Sequence, residues 1–189
     1  IQEMSDLYGI NYVIPPIEKK ALTQSRNYGI RKSNGEIIVN VDADTDYNKY
    51  FLDYLLAPFH KNDTMGVSGL KVEVGSHHVV NKMATFGGFV AQRLKTLPKL
   101  DGCVRAFNKE VYYAIGGLPE AKNQYSNKDT LISEEVQFSG EIGKFGNIVF
   151  EPRAVGYHHG TWKYLARHTC NKDSTDQYCK DRGINKISG

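Results

Sequence analysis

The sequence predicts an α/β domain built around a mixed, mainly parallel sheet. Three observations carry that reading. Residues 36–41 (EIIVNV) are a short β-branched run, the composition of a buried strand. Residues 18–33 before it are good helix formers, with Ala21, Ser25, Gly29 and Ser33 recurring every fourth position as one thin face that packs closely on a sheet. Residues 10–14 (INYVI) form a second apolar run ahead of that helix. Strand, helix and strand in this order make a crossover, which joins parallel neighbours.

The remaining elements follow in chain order. Residues 1–8 read as the end of an amphipathic helix stopped by Gly9, and Pro15-Pro16 close the strand 10–14. Asn34-Gly35 stop the helix 18–33. Helical material over 47–59 leads to a strand at 65–74, then to a glycine-broken stretch ending near Pro98. A strand at 102–107 precedes a helix at 108–115, ended by Gly116-Gly117. Residues 119–130 are polar and read as a mobile loop. A helix over 131–145 precedes strand-like pieces at 147–150 and 154–158, and residues 161–189 form a tail that is helical in parts.

Composition bounds the class. A chain of 189 residues suits one domain and buries a core without staples. Its 24 basic and 21 acidic side chains are interspersed, so the net charge of +3 does not mark a nucleic-acid binder. No apolar run reaches the roughly 18 residues that span a bilayer. The tail 161–185 has mixed charges and a short apolar face, which limits any membrane contact to a peripheral one. Cys103, Cys170 and Cys179 show neither CxxC spacing nor disulfide-framework density, so the expectation is a reducing, cytoplasmic setting. A Cys170–Cys179 bridge would need a loop between them.

Three constellations can carry chemistry. Asp42-Ala43-Asp44 follows the strand 36–41, and ligands of α/β sheets gather beyond the carboxyl ends of strands. Two carboxylates so placed suit Mg²⁺ or Mn²⁺, which take oxygen ligands and share them with substrate phosphates. The plain alternative is a polar turn with Asp46 as a cap. Ser133-Glu134-Glu135 opens the helix 131–145, with both carboxylates beside the stripe Leu131, Phe138, Ile142, Phe145; a favourable helix dipole also accounts for them. Tyr157-His158-His159-Gly160 ends a strand, where a histidine near carboxylates can complete a cation site. His77-His78, with no acidic company, reads as a solvated pair.

In order and spacing these pieces resemble one family. Ser25-Arg26-Asn27-Tyr28-Gly29-Ile30, Asn34-Gly35-Glu36-Ile37-Ile38-Val39 and Val41-Asp42-Ala43-Asp44 are similar to the core signature of family 2 glycosyltransferases. Asp101-Gly102-Cys103-Val104-Arg105-Ala106-Phe107 and Ile115-Gly116-Gly117-Leu118 resemble that family's acceptor-side strand and GG turn. Ser133-Glu134-Glu135-Val136 stands where the family has an acidic pair, and Gly146 to His159 resembles its closing strand and histidine, with Trp162 opening a tail helix. The likeness runs over about residues 1–165. Its departures are two: the family's opening strand–helix–strand, which grips the nucleotide base, is absent from the residues given, so that either upstream sequence is lost or the fold is a reduced one, and Glu135 replaces the usual aspartate.

The resemblance implies a Rossmann-like GT-A fold, a three-layer sandwich with a mixed, mainly parallel central sheet, as a single domain over 1–189. It implies a hexosyltransferase-type enzyme that moves a sugar from a nucleotide-diphosphate sugar to a hydroxyl of a glycan, lipid-linked or protein acceptor, with inversion and with a divalent cation, Mn²⁺ or Mg²⁺. Asp42, Asp44, His158 and His159 would hold the cation. Arg26, Asn27, Asp42, Asp101, Gly102 and Trp162 would bind donor or acceptor. Glu135 would be the base, with Glu134 in reserve. A nucleotidyltransferase-like phosphate enzyme would use the same aspartates and histidine without a base at Glu135. A non-catalytic, sugar-recognising remnant would tolerate loss of either set.

Overall fold

The computed structural model describes residues 6–16, 22–74, 78–94, 98–119 and 134–159. Trp162, Cys170, Cys179, His77, the side chain of His78, residues 120–130 of the expected loop and the tail lie outside the described residues.

Helix α1 spans Leu22–Lys32 and turns Thr23, Asn27 and Ile30 inward, four or three residues apart on one face. Strand β1 (Ile37–Val41) follows, as its β-branched run requires. Next come β2 (Thr45–Tyr47), α2 (Phe51–Leu56) and a 3₁₀ turn (Ala57–His60). The expected helix over 47–59 is thus split three ways. Its start is a strand paired with the end of the last described strand, and Pro58 has no N–H to continue the α-helix. Strand β3 runs over Thr64–Glu73, α3 over His78–Leu94, β4 over Val104–Asn108 and α4 over Lys109–Ala114. Helix α5 (Glu134–Ile142) and strand β5 (Asn147–His158) complete the described elements.

The glycine-broken stretch expected before Pro98 is in fact α3. Gly87 and Gly88 sit exposed on its surface, where they weaken the helix without forcing it open. The GG turn stands as expected: Gly116 and Gly117 take φ of 82° and 96°, a left-handed conformation that glycine adopts without a Cβ penalty.

The five strands form one sheet in the order β1-β4-β3-β5-β2. The sheet is mixed, but the balance differs from expectation. Among the described strands only β3 and β5 pair in parallel, while β1–β4, β4–β3 and β5–β2 pair antiparallel. Two causes account for it. Residues 10–14 form no strand and lie exposed, so no parallel crossover joins them to β1, which occupies the sheet edge. Strand β4 also enters between β1 and β3 against the direction of both.

The two pieces expected at 147–150 and 154–158 are one strand with a bulge. Gly69 pairs with Glu151 and Leu70 with Val155, so Pro152, Arg153 and Ala154 are looped out of the ladder. The bulge lies directly on Gly69, where an added Cβ would come within 2.4 Å of the Ala154 carbonyl oxygen.

Alternation along β4 divides the core. Phe107 faces one side with Ile30, Ile38, Tyr112, Phe138 and Ile142, beneath α1, α4 and α5. Val104 and Ala106 face the other with Phe51, Leu55, Val67 and Ala154, beneath α2. Helices therefore cover both faces of the sheet, the expected three layers. Burial of each large side chain contributes about 1.5–3 kcal/mol.

Candidate active site

Every carboxylate and histidine singled out for chemistry, where described, comes from one end of this sheet. Val41 pairs with Val104, so Asp42 leaves β1 where Asp101-Gly102-Cys103 enter β4. His158 pairs with Glu73 on one side and Thr45 on the other, so β5 ends where β3 ends and β2 begins. Helix α5 points its first turn, with Glu134 and Glu135, toward the segment 99–102. Antiparallel insertion of β4 is what brings its beginning to the carboxyl ends of β1, β3 and β5.

The two aspartates of Asp42-Ala43-Asp44 part company. Asp42 accepts from the Arg26 guanidinium at 2.8 Å, and its amide donates to the Tyr47 hydroxyl at 2.9 Å. That hydroxyl donates in turn to the Cys103 carbonyl at 3.0 Å, tying the end of β1 to the start of β4. Burial keeps the Tyr47 phenol above its ordinary pKa, so it remains a donor. Asp44 is more open, and its Oδ2 stands 3.6 Å from His158 Nε2. The other ring nitrogen of His158, Nδ1, lies 2.8 Å from Glu73 Oε2. His159 turns away to Asp46, at 2.8 Å, in an exposed pair, while its amide donates to the Asp44 carbonyl at 2.9 Å.

The acidic pair also divides. Glu134 is 9% exposed and sits between two guanidinium groups, 3.0 Å from Arg105 and 3.6 Å from Arg26. Arg105 is fully buried, with Phe138 and Phe107 against its guanidinium, and its Nε has no partner among the described residues. Glu135 is 27% exposed; it accepts from the Gly102 amide at 3.1 Å and pairs with Lys99 at 2.7 Å. Ser139 secures this register, donating to the Glu135 carbonyl at 2.5 Å and accepting from the Leu100 amide at 2.8 Å. Gly102 passes so close that a Cβ there would lie 3.3 Å from both Glu135 Oε1 and an Arg26 nitrogen.

Asp101 is held by its own neighbours, accepting from the Cys103 thiol at 3.0 Å and the Cys103 amide at 3.3 Å. Burial would raise its pKa, but the Cys103 thiol and the Lys71 and Lys99 charges outweigh that and hold it below the usual aspartate value. Burial and the same Asp101 carboxylate push the Cys103 thiol well up, which leaves it an inert hydrogen-bond donor.

Asn27 belongs to the frame of the site. It is buried, its carbonyl oxygen accepts from Tyr112 at 2.8 Å and from the Leu118 amide at 2.9 Å, and its amide donates to the Leu118 carbonyl at 3.0 Å. It ties α1 to the GG turn. Lys99, Arg105, Glu73, Lys71 and Tyr47 escaped the sequence reading. Lys71 and Glu73, two apart on one strand, did carry a signal, because alternation puts both on one face. Arg105 interrupting an apolar strand was another.

A divalent cation is implied by the resemblance, and the donor set at Asp44 and His158 fits one. A carboxylate oxygen and an imidazole nitrogen 3.6 Å apart can share an ion, and the nitrogen tilts the choice toward Mn²⁺. Among the described residues no group of three or more His, Cys, Asp or Glu is gathered to hold a metal. Two protein ligands with the rest from diphosphate and water is a common arrangement for such cations.

The sequence model of the family described as Glycosyl transferase family 2 matches residues 1–118. No curated protein matches the chain. Among solved structures, the mannosyltransferase PcManGT of Pyrobaculum calidifontis, solved with GDP-Man and Mn²⁺, superimposes with a TM-score of 0.63 at 15% identity, over 99% of this chain and 51% of that one. GalNAc-T7, solved with UDP, GalNAc and Mn²⁺, gives 0.59 at 15% identity, over 84% of this chain and 34% of that one. Glucosyl-3-phosphoglycerate synthase of Mycobacterium tuberculosis, solved with phosphoglyceric acid, gives 0.58 at 15% identity, over 98% of this chain and 66% of that one. The chain therefore spans about half the length of the first of these, and the likenesses show a GT-A fold.

Proposed function

The chain belongs to glycosyl transferase family 2, and from that premise we propose that it transfers a hexose from a nucleotide-diphosphate sugar to an acceptor hydroxyl, with inversion. The observation that carries the proposal is the meeting of a candidate cation pair, Asp44 and His158, with a candidate base, Glu135, at one end of the sheet. When bound, a divalent cation would offset the charge that the leaving diphosphate gathers. Asp44 and His158 would hold it. Arg26, fixed by Asp42, offers a guanidinium toward donor phosphates.

Inversion by direct displacement needs a carboxylate to take the acceptor's proton on the side opposite the leaving group. Glu135 suits that part better than Glu134. Its exposure is greater and its partners are an amide and a flexible lysine, whereas Glu134 is occupied by two guanidinium groups. Glu135 stands in the first turn of α5. Lys99 keeps the carboxylate placed until an acceptor hydroxyl displaces it. Asp101 and Gly102 line the same segment and would meet sugar hydroxyls.

The test is a panel of nucleotide sugars with Mn²⁺, read as nucleoside diphosphate release with and without acceptors. GDP-Man and UDP-Glc head the panel, since structural relatives were solved with them. Release that needs Asp44 and Glu135 supports the reading; diphosphate handling that ignores Glu135 would instead favour a nucleotidyltransferase-like enzyme.

A further inference from the structure

His158 has two ring nitrogens, and the cation reading needs only one. The structure shows what the other does. Glu73 and His158 lie side by side on the parallel strands β3 and β5, and the Val74 amide donates to the His158 carbonyl at 2.9 Å. Glu73 Oε2 sits 2.8 Å from His158 Nδ1, and Glu73 Oε1 is gripped by Lys71 Nζ at 2.7 Å. The carboxylate is thus held at both oxygens. Nε2, across the ring, looks toward Asp44 at 3.6 Å.

Resting on the cation reading above, we infer that Glu73 is a positioning residue: it fixes the proton of His158 on Nδ1 and presents the Nε2 lone pair, together with Asp44, to a divalent cation. A carboxylate without a proton can only accept, so the shared hydrogen belongs to the imidazole. Nε2 is then the sole ring atom able to ligate. Orientation of a ligating histidine by a carboxylate on its far nitrogen raises its basicity and spares it the entropy of ring rotation. Lys71 prevents Glu73 from swinging toward the cation and becoming a ligand itself.

Mn²⁺ alone, followed by the spectrum of the free ion in solution, is the probe. Glu73→Leu should weaken Mn²⁺ binding about 10–100-fold, the usual cost of losing such a partner. Glu73→Gln, whose amide oxygen still accepts from Nδ1–H, should recover most of it. Nitrogen NMR of the neutral imidazole of wild-type His158 should find the proton on Nδ1. Undiminished Mn²⁺ affinity in a folded Glu73→Leu, or a wild-type proton on Nε2, overturns the inference. Should Glu73→Leu not fold, the wild-type tautomer and the Glu73→Gln affinity still decide. His158→Ala separates the two levels: if it binds Mn²⁺ like wild type, the cation reading fails and takes the inference with it. If it loses binding while Glu73→Leu does not, only the inference falls.

Discussion

Arg26 and Asp42, sixteen residues apart, are joined at 2.8 Å, so the first aspartate of the Asp42-Ala43-Asp44 turn is committed to a guanidinium and the second is left to face His158. One motif thereby serves two purposes. Its first carboxylate fixes the Arg26 guanidinium, and its second stays open on the side of His158.

Asp44→Asn should therefore abolish the Mn²⁺ dependence of nucleoside diphosphate binding, whereas Asp42→Asn should weaken that binding at any Mn²⁺ concentration by freeing Arg26. Calorimetric titration with Mn²⁺ and with a chelator distinguishes the two. Binding by wild type that ignores the chelator would sink the assignment. His158→Ala should follow Asp44→Asn, while His159→Ala and the double change of His77 and His78 to Ala should leave Mn²⁺ affinity as it was.

Glu135→Gln preserves shape and removes basicity. Donor and Mn²⁺ binding should stay near wild type while sugar transfer falls by about 10²-fold or more, the scale of general-base loss. Single-turnover transfer with saturating donor is the measurement. Full transfer by this variant, with loss in Asp101→Asn, would move the base to Asp101.

Glu134→Ala should fail in a different way. It leaves the fully buried Arg105 without its carboxylate, and breaking such a pair costs about 3–5 kcal/mol. Urea denaturation should show that loss. A variant as stable as wild type would mean that Arg105 finds water or Asn40 sufficient.

Asp101 gives a pH dependence with a definite sign. Held below its ordinary value in the fold, it stays ionised further into acid than in the unfolded chain, whose aspartates titrate near about 3.9. Its contribution to stability is complete above that value and is lost as pH falls through its lower folded value. Stability measured from pH 6 down to 3 should decline, and Asp101→Asn should make the decline shallower. An unchanged slope would contradict the shift.

How far the sequence spoke depended on whether a feature was local. Strand β1 was legible because Ile37, Ile38 and Val39 are β-branched, and the GG turn because Gly116-Gly117 ends a helix. The three residues of β2 were not, since Thr45-Asp46-Tyr47 becomes a strand only by pairing with β5. Helix α3 was hidden by Gly87-Gly88, whose cost its neighbours outweigh. At the site, Asp42, Asp44, Glu134 and Glu135 could be picked out by type and place. Their division of labour could not, because it is set by Arg26, Arg105 and Lys99, partners at least 16 positions away in the chain.

The looped-out residues Pro152, Arg153 and Ala154 have a consequence for how such a site can drift. At about 3.3 Å of rise per residue, they absorb roughly 10 Å of chain that would otherwise carry His158 past the rim of the sheet. The bulge works as a vernier: residues added or removed there slide the histidine relative to Asp44 while the hydrogen bonds between β3 and the first half of β5 stay in place. Changing the count by an odd number would also turn the histidine to the opposite face. Gly69, with no Cβ to hold the Ala154 carbonyl away, is the seat in which that vernier rests, and Gly69→Ala should jam it, at a cost of about 1–3 kcal/mol and with His158 displaced.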